Sequence, residues 1–313
     1  MPRRGSSAPG AGVSSKSVTT VIETRDLTKS YGRTRALDGL NLSVEQGEVH
    51  GFLGPNGAGK TTTIRVLLGL LKADGGTATL LGANAWTDIE AIHRRIAYVP
   101  GDVTLWPNLT GGEVIDLLGR LRGDLDKDRR ASLLERFDLD PTKKCRSYSK
   151  GNRQKVALVA ALASRAEVFL LDEPTAGLDP LMEAAFADVA RGLKEDGRTI
   201  LLSSHILSEV EKLSDRISII RAGKIVEVGT LAEMRKLHTT TISAVVRTPV
   251  PSLDTLPGVT DLTRDGSLVR FSVDADHLDA AIAAVGSAGL DSLVSEPPTL
   301  EQLFLSKYES GAR

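Results

Sequence analysis

The feature that constrains this chain most is a glycine-rich stretch that matches the pattern G-x-x-x-x-G-K-[ST]. It reads Gly54, Pro55, Asn56, Gly57, Ala58, Gly59, Lys60, Thr61 and Thr62. An apolar strand is predicted before it (49–53) and a helix after it (63–71), which Gly75-Gly76 would close. In this context the glycines let backbone N–H groups and the helix N-terminus face an anion. The stretch therefore predicts a nucleoside triphosphate site, with Lys60 reaching the β- and γ-phosphates and Thr61 ligating Mg²⁺.

A second apolar run, residues 168–171, ends in Asp172 and Glu173, and Pro174 then stops it. A continuous apolar run is typical of a parallel strand that is buried on both faces. Ligands of open α/β sheets lie at the C-terminal ends of such strands. We therefore expect Asp172 to hold Mg²⁺ and Glu173 to orient and deprotonate the attacking water, with a salt-bridged strand end as the structural alternative.

Another buried strand is predicted over residues 199–205, with His205 as its last residue. A single histidine at a strand end is often structural. Because it follows a phosphate-binding loop and an Asp-Glu strand end, His205 is also a candidate sensor of the γ-phosphate.

Length and charge narrow the possible classes of protein. The chain has 313 residues, with 39 basic and 40 acidic side chains and a net charge of −1. This length predicts about two domains, and the balanced charge argues against nucleic acid as the main partner. The single cysteine, Cys145, allows no internal disulfide framework, which is typical of a reducing compartment. The longest apolar run, residues 156–163, is far shorter than the ~18 residues that a membrane span needs.

The order of the predicted elements indicates an α/β fold with an inserted helical block. Residues 1–18 are rich in Ser, Gly, Pro and Ala and predict a disordered tail. The main domain is expected over 19–238. Its helical block, at about 86–165, would hold helices at 113–121, 129–137 and 153–163. Residues 241–313 predict a small α+β domain that ends in a helix over 299–308.

Six features that occur in one order resemble the nucleotide-binding subunit of ABC transporters over roughly residues 21–237. Residues 54–61 resemble the Walker A motif, 168–173 Walker B, 177–179 the D-loop, and His205 the switch histidine. Tyr31 matches the aromatic residue that stacks on adenine in the family; by spacing alone it is equally a half-buried strand tyrosine. The resemblance implies a P-loop NTPase core of the ABC type, ATP and Mg²⁺ as ligands, and Asp179 near the nucleotide.

The sixth feature, residues 148–152, resembles the family signature Leu-Ser-Gly-Gly-Gln. It keeps Ser149 and Gly151, which suit a γ-phosphate at a helix N-terminus, and departs at Tyr148, Lys150 and Asn152. The larger departure is Gly101, which stands where the family has the Q-loop glutamine. Asp102, the next residue, is a candidate oxygen ligand for Mg²⁺ in its place.

The resemblance also implies partners. In the family the signature completes the ATP site of an opposing subunit, so this chain is expected to form a homodimer or to pair with a related chain. A separate permease of the ABC-2 export type would place it at the cytoplasmic face of the cell membrane. The surface around Trp106 would face a coupling helix, unless Trp106 is simply a helix staple. Drugs, antibiotics or lipids are the expected cargo.

Two other functions fit the same sequence. One is a soluble ABC ATPase that acts on ribosomes or DNA. The other is a degenerate module that binds ATP and regulates without hydrolysis, which Gly101 and the altered signature would favour. The intact Lys60, Asp172, Glu173 and His205 argue against that second alternative.

Overall fold

The computed structural model describes residues 19–123, 125–236 and 239–296. In the first part of the chain the strands are β1 (Thr20–Tyr31), β2 (Thr34–Glu45), β3 (Val49–Leu53), β4 (Gly75–Leu80), β5 (Ala83–Asn84), β6 (Ile96–Val99), β7 (Val168–Asp172), β8 (Thr199–Ser204), β9 (Arg216–Arg221) and β10 (Lys224–Gly229). The helices are α1 (Lys60–Leu67), α2 (Ile89–His93), α3 (Gly111–Arg122), α4 (Lys127–Arg136), α5 (Lys150–Leu162), α6 (Pro180–Glu195), α7 (Leu207–Leu213) and α8 (Leu231–Lys236). Over the described ranges, none of the helices has the length and apolar character of a membrane span.

The central sheet has six strands in the order β10-β9-β3-β8-β7-β6. All of its pairs are parallel except β9 with β10, which form an antiparallel hairpin. Every residue of β3, β7 and β8 is buried. Strands covered on both faces need apolar side chains throughout, which explains the continuous apolar runs in the sequence. The predicted parallel core is therefore confirmed.

A second sheet is antiparallel and has the order β2-β1-β4-β5. The segment that leads from α1 into β4 differs from the sequence prediction. Helix α1 ends at Leu67 instead of residue 71, and Gly69 then turns the chain at φ +64°. Gly75 and Gly76 do not close the helix; they begin β4, which pairs with β1. Gly76 has φ +79°, and a side chain there would collide with the backbone of Asp26. Only glycine tolerates both conditions.

The helical block is smaller than the predicted 86–165, because β6 lies inside that range and belongs to the central sheet, where it pairs with β7. The insertion proper consists of α3, α4 and α5. Thr110 caps α3 in a reciprocal capping box with Glu113. The apolar faces of the three helices share one core, which includes Ile115, Phe137 and Leu158.

The C-terminal unit consists of β11 (Thr240–Val246), β12 (Val259–Asp265), β13 (Leu268–Val273), α9 (Leu278–Ser287) and β14 (Leu290–Glu296). Its antiparallel sheet has the order β12-β13-β11-β14. Ile242 and Phe271 from the sheet and Val285 from α9 share a separate buried core. This is the α+β architecture that the sequence predicts. The predicted tail (1–18) and last helix (299–308) lie outside the described residues.

Candidate functional site

The glycine-rich loop joins β3 to α1, and its shape depends on residues without a side chain. Gly57 and Gly59 have φ +81° and +116°, a region that other L-residues rarely adopt. A Cβ atom at Gly59 would lie 2.7 Å from the carbonyl oxygen of Ala36 and 2.9 Å from Leu37 Cδ2. The loop is therefore packed from behind by β2. Among the residues that the structure describes, no neighbouring atom lies within 4 Å of a Cβ placed at Gly57, which leaves room for a ligand there.

Lys60, the first residue of α1, is folded back into this loop. Its buried ammonium donates to the carbonyl oxygens of Gly54 (2.7 Å) and Pro55 (3.2 Å) and lies 3.7 Å from Glu173 Oε1. Burial lowers the pKa of Lys60, and the negative charges of Glu173 and Asp172 oppose that shift. The loop itself offers Lys60 only backbone carbonyls, which do not neutralise a buried cation, and the Glu173 carboxylate lies 3.7 Å away. The ammonium group is therefore placed to bind a phosphate group at the loop.

Asp172 and Thr61 lie next to each other, as their predicted shared role requires. The Thr61 hydroxyl donates to Asp172 Oδ2 at 2.8 Å, and Ser203 from β8 donates to Oδ1. Asp172 is only 2% exposed. Mg²⁺ is usually bound by one or two protein oxygens together with substrate phosphates, and this pair fits that pattern. Over the described ranges, His, Cys, Asp and Glu form no group of three or more that could hold a metal ion by themselves.

Glu173 follows β7 directly and has an unusual backbone conformation, with φ +48°. Its N–H donates to the carbonyl oxygen of Ser203 at 2.9 Å, which fixes it to the end of β8. Its Oε1 lies 3.1 Å from Nδ1 of His205. A left-handed non-glycine residue costs on the order of 1–3 kcal/mol and is common at functional sites. The conformation directs the carboxylate toward Lys60, so the three predicted catalytic side chains meet at one place.

The signature residues and Asp179 form a separate group, in which the side chains of Ser149 and Asp179 each cap a helix. Ser149 caps α5 by accepting from the N–H of Asn152 at 3.2 Å, and Asp179 caps α6. Gly151 packs against the backbone of Gly177, because a Cβ placed there would lie 2.5 Å from its carbonyl oxygen. The hydrogen bonds that the structure describes for the Ser149 and Asp179 side chains stay within their own helix caps.

Three predicted positions remain to be placed, namely Tyr31, Gly101 and Asp102. Tyr31 ends β1, and its ring is 48% exposed, which leaves a face for stacking. A Cβ at Gly101 would lie 3.3 Å from the carbonyl oxygen of Asp172, so this loop runs directly against the end of β7. Asp102 beside it is exposed. Adenine stacking by Tyr31 and metal binding by Asp102 stay predictions.

Two side chains at the site were not singled out from the sequence. Ser203 holds Asp172, and Glu209 from α7 accepts hydrogen bonds from Thr175 and Ser204. Polar residues at the end of an apolar strand were the available signal for Ser203 and Ser204. The sequence gives no signal for the contact between Glu209 and Thr175, because the two residues are 34 positions apart.

A phosphate-binding loop, an Asp-Glu strand end and a histidine on the adjacent strand define a nucleoside triphosphatase of the P-loop class. The family model described as "ABC transporter" matches residues 37–176. The chain is 38% identical over 301 residues to the daunorubicin resistance ATP-binding protein DrrA3 of Streptomyces coeruleorubidus, covering 91% of this chain and 95% of that protein. It is 41% identical over 213 residues to the bacitracin transport ATP-binding protein BcrA of Bacillus licheniformis, covering 67% and 70%.

Solved structures agree with these relatives. An ATP-binding subunit of an ABC transporter superposes with a TM-score of 0.65 at 32% identity, covering 70% of this chain and 93% of that one. The dimeric, post-hydrolysis cassette MJ0796 bound to ADP and Pi gives 0.60 at 26% identity, covering 67% and 98%. The chain belongs to the ABC transporter family, as an ATP-binding subunit that hydrolyses ATP. The alternative of a module that does not hydrolyse ATP is therefore not retained.

Proposed function

We propose that this chain powers a separate membrane permease that exports drugs, antibiotics or lipids, and that it works at the cytoplasmic face of the membrane. The main observation in favour of a permease partner is an apolar groove of about 490 Å³ between α3, α5 and β6. The names of the relatives, which concern resistance to daunorubicin and transport of bacitracin, support antibiotics as the cargo.

The groove has the character of a site for a helical partner. Trp106 and Leu121 line it and are 51% and 74% exposed, and Leu70 at its rim is 65% exposed. Exposed aromatic and aliphatic side chains around one concave surface are typical of interaction sites. The groove also reaches the catalytic end of the sheet, since its lining includes Tyr98 and Pro100, which lead into Gly101. A partner segment in the groove would therefore sense changes beside Asp172.

In the proposed reaction Lys60 binds the β- and γ-phosphates of ATP, and the N–H groups of the loop surround them. Glu173 accepts a proton from the water that attacks the γ-phosphorus, while the bond from that phosphorus to the β,γ-bridging oxygen breaks and ADP leaves. His205 contacts the γ-phosphate and orients Glu173 through their 3.1 Å contact. Thr61 and Asp172 would hold Mg²⁺, which neutralises charge on the phosphates.

We further propose that two copies of the chain face each other and enclose two ATP molecules. The described hydrogen bonds of the Ser149 and Asp179 side chains stay within their own helix caps. The positions of these two residues and of Gly151 at helix N-termini suit the γ-phosphate of a second copy. The dimeric cassettes among the structural neighbours support this arrangement.

A soluble ABC ATPase acting on ribosomes or DNA is the competing function. The named transport and resistance subunits among the relatives do not favour it, and neither does the balanced charge of the chain.

The permease is tested by co-purification from detergent-solubilised membranes, with tagged chain carrying Glu173→Gln to retain ATP. The chain has two tryptophans, both about half exposed, and only Trp106 lies in the groove. We expect a multi-span protein at stoichiometric level, its loss with Trp106→Ala, and its retention with Trp86→Ala. Recovery of ribosomes or only soluble proteins would contradict the proposal.

A further inference from the structure

Glu209 lies on α7, one turn beyond His205, and joins two segments that both lead to the catalytic site. Its Oε1 accepts from the Thr175 hydroxyl at 2.8 Å, and its Oε2 accepts from the Ser204 hydroxyl at 2.6 Å. We call these three residues the Glu209 bridge. None of them belongs to the loop, the signature or the Asp172–Glu173 pair.

On one side the bridge holds the segment that runs from Thr175 to Asp179. The N–H of Leu178 donates to the carbonyl oxygen of Thr175 at 2.9 Å, which makes this segment one tight turn. The turn contains Gly177, whose carbonyl oxygen packs against Gly151 at the start of α5. The position of Thr175 therefore decides where the turn meets the signature helix.

On the other side the bridge holds the end of β8. Ser204 lies between Ser203, which fixes both Asp172 and the N–H of Glu173, and His205. The Ser204 hydroxyl also accepts from the N–H of Ile206 at 2.9 Å. These two hydrogen bonds set the direction in which the chain leaves the strand, and with it the place of the His205 ring.

The carboxylate of Glu209 is well suited to holding Thr175 and Ser204 in fixed positions. Burial raises the pKa of Glu209, while the hydroxyls of Ser204 and Thr175 act in the opposite direction. Hydrogen bonds to an ionised acceptor are about twice as strong as neutral ones. If Glu209 were removed, two hydroxyl groups in a largely buried place would lose their acceptor, and both segments could shift independently.

We propose that Glu209 is a positioning residue for ATP hydrolysis. It fixes the 175–179 turn to the end of β8, so that His205 and Glu173 on one side and the signature helix on the other keep a single relative geometry. The inference rests on the proposed roles of Glu173 and His205. Glu209 itself touches neither the loop nor the reacting atoms.

The test uses the full chain and measures kcat and KM for ATP hydrolysis together with the melting temperature. With Glu209→Ala we expect kcat to fall at least tenfold, because a displacement of about 1 Å at a catalytic group can cost on the order of 100-fold. KM for ATP should stay within threefold, because the loop is untouched. Glu209→Gln keeps an acceptor oxygen and a polar amide in the same shape and should restore at least a third of kcat.

Two further variants separate positioning from a general loss of structure. Thr175→Val removes one partner, and we expect it to lower kcat without adding to the loss in the Glu209→Ala/Thr175→Val double variant. Ser208 lies on the exposed face of the same helix. The variant Ser208→Ala serves as the matched control and should have the kcat, KM and melting temperature of wild type.

The proposal is overturned if Glu209→Ala keeps kcat within twofold of wild type. It is equally overturned if KM rises as much as kcat falls, or if the losses of the double variant simply add. Glu173→Gln is measured in parallel: turnover that survives in that variant would refute the proposed catalytic roles themselves, whatever Glu209 does.

Discussion

Replacing Gly151 with alanine should separate ATP binding from ATP hydrolysis in this chain. A Cβ atom at this position would lie 2.5 Å from the carbonyl oxygen of Gly177. An ordinary carbon–oxygen contact is about 3.4 Å, so the two backbones must move apart by about 0.9 Å. Neither partner is a flexible side chain, and the strain cannot be relieved by a change of rotamer.

The displacement has two consequences of different size. Overpacking of this kind destabilises a folded protein by about 1–3 kcal/mol. Alanine stabilises a helix by about 0.5–1 kcal/mol relative to glycine. The free energy of unfolding should therefore fall by about 1 kcal/mol. The larger effect is on turnover. A shift of about 1 Å between the signature helix and the 175–179 turn should lower kcat by on the order of 100-fold. The affinity of the single chain for ATP, measured at concentrations too low for it to dimerise, should not change, because Lys60 and the loop are unaffected.

Gly192, in the middle of α6, provides the matched control. A Cβ there would meet no atom within 4 Å, so Gly192→Ala should raise the free energy of unfolding by about 0.5–1 kcal/mol and leave kcat unchanged. Urea unfolding, phosphate release and equilibrium binding of a fluorescent ATP analogue give the three quantities. If Gly151→Ala kept wild-type turnover and stability, the close packing of these two glycines would have no functional meaning.

Three further predictions follow from the site. Glu173→Gln should lower phosphate release at least about 100-fold while ATP binding persists, and undiminished release would exclude Glu173 as the base. Gly101→Gln would bring a Cβ to 3.3 Å from the Asp172 carbonyl oxygen, a fit that needs a small shift; it should lower the Mg²⁺ concentration for half-maximal turnover, whereas Gly101→Ala should not. Burial raises the pKa of Glu209, so the folded chain binds that proton more readily than the unfolded chain and loses stability as pH rises through the raised pKa. The melting temperature of wild type should therefore decline relative to Glu209→Gln as pH rises, and parallel curves would contradict this.

The sequence predicts those parts of the site whose signals are local. The loop pattern and the apolar strands that lead to Asp172 and His205 each depend on neighbouring residues, and the structure has them where expected. The sequence does not predict strands β4 and β6, and the physical reason differs between them. Glycines that look like a helix stop are required in β4 by the close approach of β1, and β6 has only four residues, too few to show a periodicity.

Contacts between distant segments could not be predicted from a single sequence. Ser203 holds Asp172 across 31 residues, and Glu209 holds Thr175 across 34. Their side-chain types are common on helices and at strand ends, so their roles become visible only when the fold brings the partners together.

The most direct test of the account is the mass of the full chain with Glu173→Gln in solution, measured by sedimentation with and without ATP and Mg²⁺. If two copies share two ATP sites, the chain should be a monomer without ATP and a dimer with it. Gly151→Ala should weaken this dimer. A chain that binds ATP at saturation and yet stays monomeric would contradict the shared site, and with it the proposed roles of Ser149, Gly151 and Asp179.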